Sequence, residues 1–391
     1  MFFNFRRLFQ FLKVTFLQPR DHYRLTPRRF FMILLFIFLY IPLELFTWLG
    51  FLLDEIFYPG YRRNQIKQPV FIIGNFRSGT TFMQRILAKD HNRFIGVKAW
   101  EIVFGSSIII RKLMGFLMRV DKKIGQPLYK MIEASEKKTL HKIDFHHFRW
   151  NDFEEDDFFH LHSFSCFGFW IYSAPFEILK DLMKFDISVP KDLNARMMTF
   201  YHRLIQRHLY AHGGSRQLLS KNPTFSSKIK SILKIYPDAK FILMVRKPME
   251  VIPSQMNMIA FGWNIMANPL KPYPYRDEII DMAEYFYRYP NEKLQTLKDN
   301  QKFIVDYEQL VLKPRETVEA IYSQFNFEMT AEYKKILEQE ASTPRKYYRK
   351  KYPLQEMELD EAEINLRLDP LMSEIEFSKP HQQKHPVRKT A

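Results

Sequence analysis

The stretch from Pro69 to Leu87 constrains this chain more than any other. Val70-Phe71-Ile72-Ile73 is a short apolar run, Gly74-Asn75-Phe76-Arg77-Ser78-Gly79-Thr80-Thr81 is a glycine-bracketed loop, and Met83, Ile86 and Leu87 recur at helical spacing. Strand, loop and helix in that order are predicted. The alternation then repeats: Gln217–Ser220, Lys240–Val245 and Lys302–Asp306 read as buried strands, each followed by an amphipathic stretch, with further helices expected at 193–211, 276–289, 315–325 and 330–340. Buried strands alternating with helices imply an α/β fold whose parallel sheet is covered on both faces. No internal repeat is present.

The loop carries chemistry of its own. Gly74 and Gly79 have the spacing of a P-loop, but Thr80 stands where the lysine of a nucleotide triphosphatase would be. Between a strand and a helix, such a loop still aims backbone N–H groups and the positive end of the helix dipole at an anion. Ser78, Thr80 and Thr81 add hydroxyls, and Arg77 adds a permanent charge with a planar fork of donors. A bound phosphate is expected. In the second segment, Phe241-Ile242-Leu243-Met244-Val245 ends in Arg246, Pro248 suits the first turn of a helix, and Ser254 follows. An arginine at a strand's C-terminal edge with a hydroxyl on the next helix can grip a second phosphate, where ligands of open parallel sheets bind. Pro253 threatens to kink that helix and so to misplace Ser254.

Charge and apolar content need a different explanation. Net charge is +16, aromatic residues make up 16% of the chain, and 38 of its residues are Phe, more than a soluble core requires. The first thirty residues interleave Arg6, Arg7, Lys13, Arg20, Arg24, Arg28 and Arg29 with Phe2, Phe3, Phe5, Phe9, Phe11 and Phe16, the pattern of an interfacial amphipathic helix. No nucleic-acid-binding signature accompanies the charge, so nucleic acid is not an expected partner and a membrane surface is. Phe30–Leu53 follows, with Glu44 its only charge. As one helix it would rise roughly 36 Å, enough to span a bilayer. Pro42 and Glu44 argue for two half-length segments, a shallow monotopic hairpin turning at Pro42, with a single span as the alternative. Basic residues on both flanks, including Arg62, Arg63 and Lys67, place both ends on the cytoplasmic side.

Taken together the two anion-binding segments resemble the cofactor motifs of sulfotransferases that use 3'-phosphoadenosine 5'-phosphosulfate (PAPS), in the bacterial membrane-associated branch that reads G-x-x-R-S-G-T-T. Arg246, Pro248, Glu250 and Ser254 match that family's R-x-P-x-[DE]-x-x-x-S motif. Lys221-Asn222-Pro223, Tyr236-Pro237-Asp238-Ala239 and Tyr307-Glu308-Gln309-Leu310 resemble further family segments, in family order, so the resemblance covers roughly residues 68 to 355. It implies a sulfotransferase fold, with a P-loop-like parallel sheet, and transfer of the sulfuryl group of PAPS to an acceptor hydroxyl with release of 3',5'-ADP. The 5'-phosphosulfate falls to Arg77, Ser78, Gly79, Thr80 and Thr81, with Arg77 also catalytic, and the 3'-phosphate to Arg246 and Ser254. A sulfuryl group carries less charge than a γ-phosphoryl, so no metal is expected. The readings set against this are a P-loop kinase or other NTPase and a non-catalytic nucleotide-binding membrane protein.

The acceptor must lose a proton, which calls for a general base. Phe153-Glu154-Glu155-Asp156-Asp157-Phe158-Phe159 resembles the family's acidic segment, and crowded carboxylates among phenyl rings are expected to have raised pKa values. Glu155 is the expected catalytic base, with Glu154, Asp156 and Asp157 as alternatives. His141, His146, His147, His160 and His162 lie nearby, so a histidine base is a further alternative, but no metal-binding H-E-x-x-H is present. Phe158, Phe159, Phe164, Phe167, Phe169 and Trp170 fall where such enzymes build the acceptor pocket. Beside a lipid-inserted N-terminus they suggest a hydroxylated lipid, isoprenoid or lipid-linked acceptor. The basic run Arg345–Tyr352 is placed to close over the nucleotide.

The expected organisation is a membrane-associating segment at 1–67, a sulfotransferase domain at 68–355, and a partly disordered extension at 356–391, unstructured after about Glu376. PAPS is made in the cytoplasm, and a lone cysteine, Cys166, with no usable N-x-[ST] site argues against a lumenal enzyme. A catalytic domain on the cytoplasmic face of a bacterial inner membrane follows. Oligomeric state is not legible.

Overall fold

A computed structural model describes residues 2–19, 21–139, 149–342, 347 and 350–378. His141, His146 and His147, half of the basic run (Arg345, Lys346, Tyr348 and Arg349), and the tail from Lys379 lie outside the described residues.

Five strands form one parallel sheet: β1 Val70–Gly74, β2 Phe94–Ile95, β3 Gln217–Lys221, β4 Lys240–Val245 and β5 Lys302–Asp306, in the order β2-β3-β1-β4-β5. Phe71 registers with Ser220 on one side and Phe241 on the other, and Val245 with Asp306. Strand β2, only two residues long, escaped the sequence reading because so short a run carries no period. The chain runs from central β1 to β3 on one side, then returns to β4 and β5 on the other. The C-terminal ends of β3, β1 and β4 therefore stand side by side and deliver Lys221, the Gly74–Thr81 loop and Arg246 to one edge. That reversal of strand order opens the crevice in which such sheets bind ligands.

Helices cover both faces, as the fully buried strands require. The helix expected from 276 extends to Gln295 through Pro290, and the others expected in the second half of the chain appear within two residues of their reading. The main core joins one sheet face to the aromatic region, with Phe159, Phe164, Phe167 and Trp170 all buried. Residues from both ends of the chain enter the same core, including Phe11, Tyr23 and Phe51 from the N-terminal segment and Met357, Ile364 and Leu368 from the C-terminal one. Past Glu376, Ser378 hydrogen-bonds both backbone groups of Ile304 on edge strand β5.

The N-terminal segment departs from the expected hairpin. After α1, Phe5–Leu12, a single helix α2 runs from Pro27 to Phe57, straight through Pro42. Packing explains why Pro42 does not break it: the proline faces outward, and the inward stripe on either side docks against the same body. Arg29 donates to the Ser173 carbonyl at 3.5 Å, the Tyr40 hydroxyl to the Leu161 carbonyl at 2.6 Å, and the Asp54 carboxylate accepts from the Ile108 and Ile109 amides at 3.0 and 2.9 Å. Glu44, which looked prohibitive in lipid, points inward to His162 Nδ1 at 2.8 Å and accepts from the Trp48 indole. Burial disfavours a charge on His162, yet the Glu44 carboxylate outweighs it and holds the imidazole pKa above its usual value. The opposite face of α2 presents Phe31, Phe38, Leu45 and Phe57, each more than 60% exposed, and α1 adds Phe5 and Phe9. By length and composition α2 could cross a membrane.

Candidate active site

The anion loop follows β1 directly. Gly74 has φ +139°, and a Cβ there would lie 2.4 Å from the Met244 carbonyl oxygen, so only glycine lets β1 and β4 remain paired at the loop's base. Gly79 has φ +95°, and a Cβ there would strike the Tyr307 ring at 2.2 Å. Tyr307, the first residue after β5, thus forms the loop's lid on that side, and its ring also lies 4.5 Å from the Arg246 guanidinium. Helix α3, Thr80–Leu87, leaves its first N–H groups without intrahelical acceptors at the loop's end. Ser78 Oγ donates to the Asn75 carbonyl at 2.7 Å, which spends that hydroxyl on holding the loop's shape. The glycines, the open helix start and the cationic rim fit a phosphosulfate group.

Arg77 sits in the left-handed region at φ +69°, which turns its side chain out of the loop toward neighbouring elements. Its Nε donates to Ser254 Oγ at 3.1 Å, and its carbonyl accepts from Arg246 Nη1 at 3.2 Å. Burial, with Arg246 close by, lowers the Arg77 pKa without threatening its charge. The proline feared to misplace Ser254 does not: Pro253 lies within the continuous helix Pro248–Met266, and Ser254 is buried against the loop. Arg246 Nε donates to Glu250 Oε2 at 2.9 Å, one turn along that helix, and Glu250 also accepts from the Tyr347 hydroxyl. Tyr347, from the basic run, packs against Tyr307 as well, which sets that one residue beside Arg246.

The acidic segment sorts into distinct environments. Asp156 is enclosed, accepting from Tyr201 at 2.6 Å, Ser220 at 2.7 Å and Asn222 at 2.6 Å; burial pushes its pKa up to about 6 against those donors. Asp157 is buried too, paired with Lys228 at 2.5 Å. Glu155 alone among these three lines a cavity, its Oε1 2.9 Å from the Nζ of a fully buried Lys221. Enclosure, rather than crowding among carboxylates, is what raises Asp156. Glu154 lines the cavity as well.

That cavity has a volume of about 510 Å³, and its walls are apolar apart from Arg77, Glu154, Glu155 and Tyr172. Phe76, Ile102, Phe158, Ile171, Phe261 and Ile265 are among its lining residues. Phe158 belongs to the wall; Phe159, Phe164 and Trp170 belong to the core behind it. Three contributors were given no role in the sequence reading: Lys221 and Tyr307, seen only as parts of family segments, and Tyr172. A lysine at the end of a buried strand was a further signal for Lys221. Of the nearby histidines, His162 is consumed by Glu44, and His160 is buried against Phe200 and Tyr201 with its Nδ1 3.3 Å from Ser163 Oγ. A cluster of Glu101, His208 and His212 has ligand atoms within 4.8 Å of one another, but Arg111 already places its guanidinium 3.2 Å from Glu101 and 3.1 Å from His208.

Comparison with known proteins gives a consistent result. The model of the sulfotransferase family matches residues 69–331. Omega-hydroxy-beta-dihydromenaquinone-9 sulfotransferase Stf3 from Mycobacterium bovis and from Mycobacterium tuberculosis is 22% identical over 262 residues, 65% of this chain and 61% of the relative. The chain thus spans less than two thirds of the length of those curated relatives. Among solved structures, sulfotransferase STF9 from Mycobacterium avium superposes with a TM-score of 0.67 at 16% identity, covering 85% of this chain and 82% of that one. STF1 from Mycobacterium tuberculosis gives 0.54 at 17%, covering 80% and 79%. At such identities the superpositions speak for the fold.

Proposed function

The chain belongs to the sulfotransferase family, and from that premise we propose that it moves the sulfuryl group of PAPS to a hydroxyl on a lipid-like acceptor, releasing 3',5'-ADP. One observation carries the reading: Arg77 of the anion loop and Glu155 of the acidic segment line the same apolar cavity. A site for sulfuryl transfer needs a donor loop and a base facing one acceptor hydroxyl, and an apolar wall suits an acceptor drawn from lipid.

In this assignment the amides of Ser78 to Thr81 cradle the 5'-phosphosulfate, and Arg246 with Ser254 takes the 3'-phosphate. PAPS supplies an activated sulfuryl group whose bond to the 5'-phosphate breaks during transfer. Arg77 stabilises the charge that develops on the phosphate side, in a site where burial strengthens it. Glu155 removes the acceptor proton, and Lys221 fixes its carboxylate from behind. The mycobacterial relatives named for a hydroxylated menaquinone derivative support an acceptor of similar character. The exposed apolar face of α1 and α2 supports membrane attachment. Because α2 is pinned along its length to the catalytic body, attachment is in the plane of the surface, with the catalytic domain in the cytoplasm. The functional units proposed are the attachment segment at 1–67, the catalytic domain at 68–355 and the extension at 356–391.

The test is incubation of purified protein with isotopically labelled PAPS and a membrane lipid extract, read by mass spectrometry. A new sulfated lipid, absent with Arg77→Ala, is expected. Release of 3',5'-ADP with label only on water-soluble acceptors would overturn the lipid assignment, and label on nothing with no 3',5'-ADP would overturn the donor.

A further inference from the structure

A second cavity, of about 420 Å³, lies at the far end of α2 and has no place in the transfer reaction. Its floor is aromatic, made by Phe2, Phe51 and Phe200, and its rim carries Arg62, Arg196, Arg203 and Arg207 against one carboxylate, Glu55. Three of these arginines come from one stripe of the helix Lys191–Ala211, at spacings of seven and four residues. The charges are unequally spent. Arg207 is buried and bound to Asp54 at 3.0 Å and to Glu55 at 2.8 Å, and Glu55 also takes Arg62 at 2.5 Å. Arg203 reaches only the Gln206 amide at 2.9 Å, and the Arg196 guanidinium lies over the Phe2 ring at 4.8 Å. Among the described residues neither Arg196 nor Arg203 meets a carboxylate. Two guanidinium groups therefore line a cavity whose one carboxylate, Glu55, is already taken by Arg207 and Arg62.

We infer that this cavity holds the phosphate headgroup of an anionic membrane lipid. Guanidinium forks match phosphate oxygens in pairs, which accounts for arginine rather than lysine at the rim. A free phosphate would need the arginines but not three phenyl rings, whereas a lipid presents apolar carbons directly behind its phosphate. Position agrees: Phe2 leads into α1 and Phe51 sits near the end of α2, whose outward Ile56 and Phe57 are exposed. The inference rests on the proposed membrane attachment and adds a specific lipid contact at its edge. Such a contact would fix how the body is rotated on the surface, and with it where the acceptor cavity meets the bilayer.

The test is co-sedimentation of the full chain with phosphatidylcholine vesicles, with and without phosphatidylglycerol, at fixed salt. Wild type should bind the anionic vesicles on the order of tenfold more tightly. Arg196→Glu with Arg203→Glu should abolish that preference while binding to neutral vesicles persists. Lys334→Glu with Lys335→Glu, an equal charge change on the exposed face of helix Ala331–Ser342, should keep it. Arg196→Gln with Arg203→Gln serves if charge reversal impairs folding, and its thermal melt must match wild type. Equal binding to both vesicles, or a preference retained by the Arg196/Arg203 variants, overturns the inference alone. Failure to bind either vesicle overturns membrane attachment and this inference with it. Saturable calorimetric binding of inorganic phosphate, lost in the variants and unaccompanied by a lipid preference, would make the ligand a free anion and refute the lipid.

Discussion

Replacing Glu155 by Gln separates catalysis from architecture, because its neighbour Asp156 provides the structural control. Glu155 keeps 20% of its side chain exposed toward the cavity, and its one strong contact is the Lys221 ammonium at 2.9 Å. A glutamine carbonyl can still accept from Lys221, so the loss to stability is the charge assistance of one hydrogen bond, about 1 kcal/mol. In a chain of this size that lowers Tm by roughly 2 °C. Removing a general base should cost on the order of 10² to 10⁴ in turnover, about 3 to 5 kcal/mol of barrier. Affinity for 3',5'-ADP should not change, since Glu155 is assigned to the acceptor side. Asp156→Asn should behave oppositely. It loses a carboxylate that satisfies Tyr201, Ser220 and Asn222 at once, and its new NH₂ must face one of those donors, costing about 2 to 4 kcal/mol. The assays are initial-rate kinetics, thermal melts and calorimetry on both variants. Near-normal turnover in Glu155→Gln would refute the assignment, and a turnover loss confined to a fully stable Asp156→Asn would transfer the role to Asp156.

Four further outcomes are expected. The protein should bind 3',5'-ADP at least tenfold more tightly than 5'-AMP by calorimetry, since each charge-assisted bond is worth about 1.5 to 3 kcal/mol, and Arg246→Ala should erase the difference. Gly79→Ala, which forces a Cβ to within 2.2 Å of the Tyr307 ring at φ +95°, should weaken 3',5'-ADP binding by an order of magnitude or more; unchanged affinity would show that the loop relaxes freely. The raised pKa of His162 gives stability that is complete below its unfolded value and drains away as pH rises through the folded value. The Tm gap between wild type and Glu44→Gln should therefore narrow as pH rises above the ordinary imidazole value, and a constant gap would refute the ion pair. In intact cells an impermeant thiol reagent should label neither Gln18→Cys nor Gln355→Cys in a Cys166→Ser background; labelling of position 355 alone would show that α2 crosses the membrane.

The parallel sheet, the glycine-bracketed loop after β1 and the strand and helix flanking Arg246 were legible in the sequence because each is written locally. A buried strand needs a continuous apolar run, a βα turn needs its glycines, and a helix start needs its first residues, all within about ten positions. The same locality misled at Pro42, where the lost hydrogen bond is a local cost and the inward contacts that outweigh it, at Leu161, His162 and Ile108, are more than sixty residues away. The acidic run shows the limit most clearly. Four consecutive carboxylates look interchangeable in the sequence, and only the packing of β3 and the Lys191–Ala211 helix seals Asp156 among three donors and turns Glu155 toward Arg77's cavity. Periodicity and turn chemistry act between neighbours in the chain. The environment of a side chain depends on what the fold brings against it, and for Glu155 and Glu44 alike that is set by distant residues.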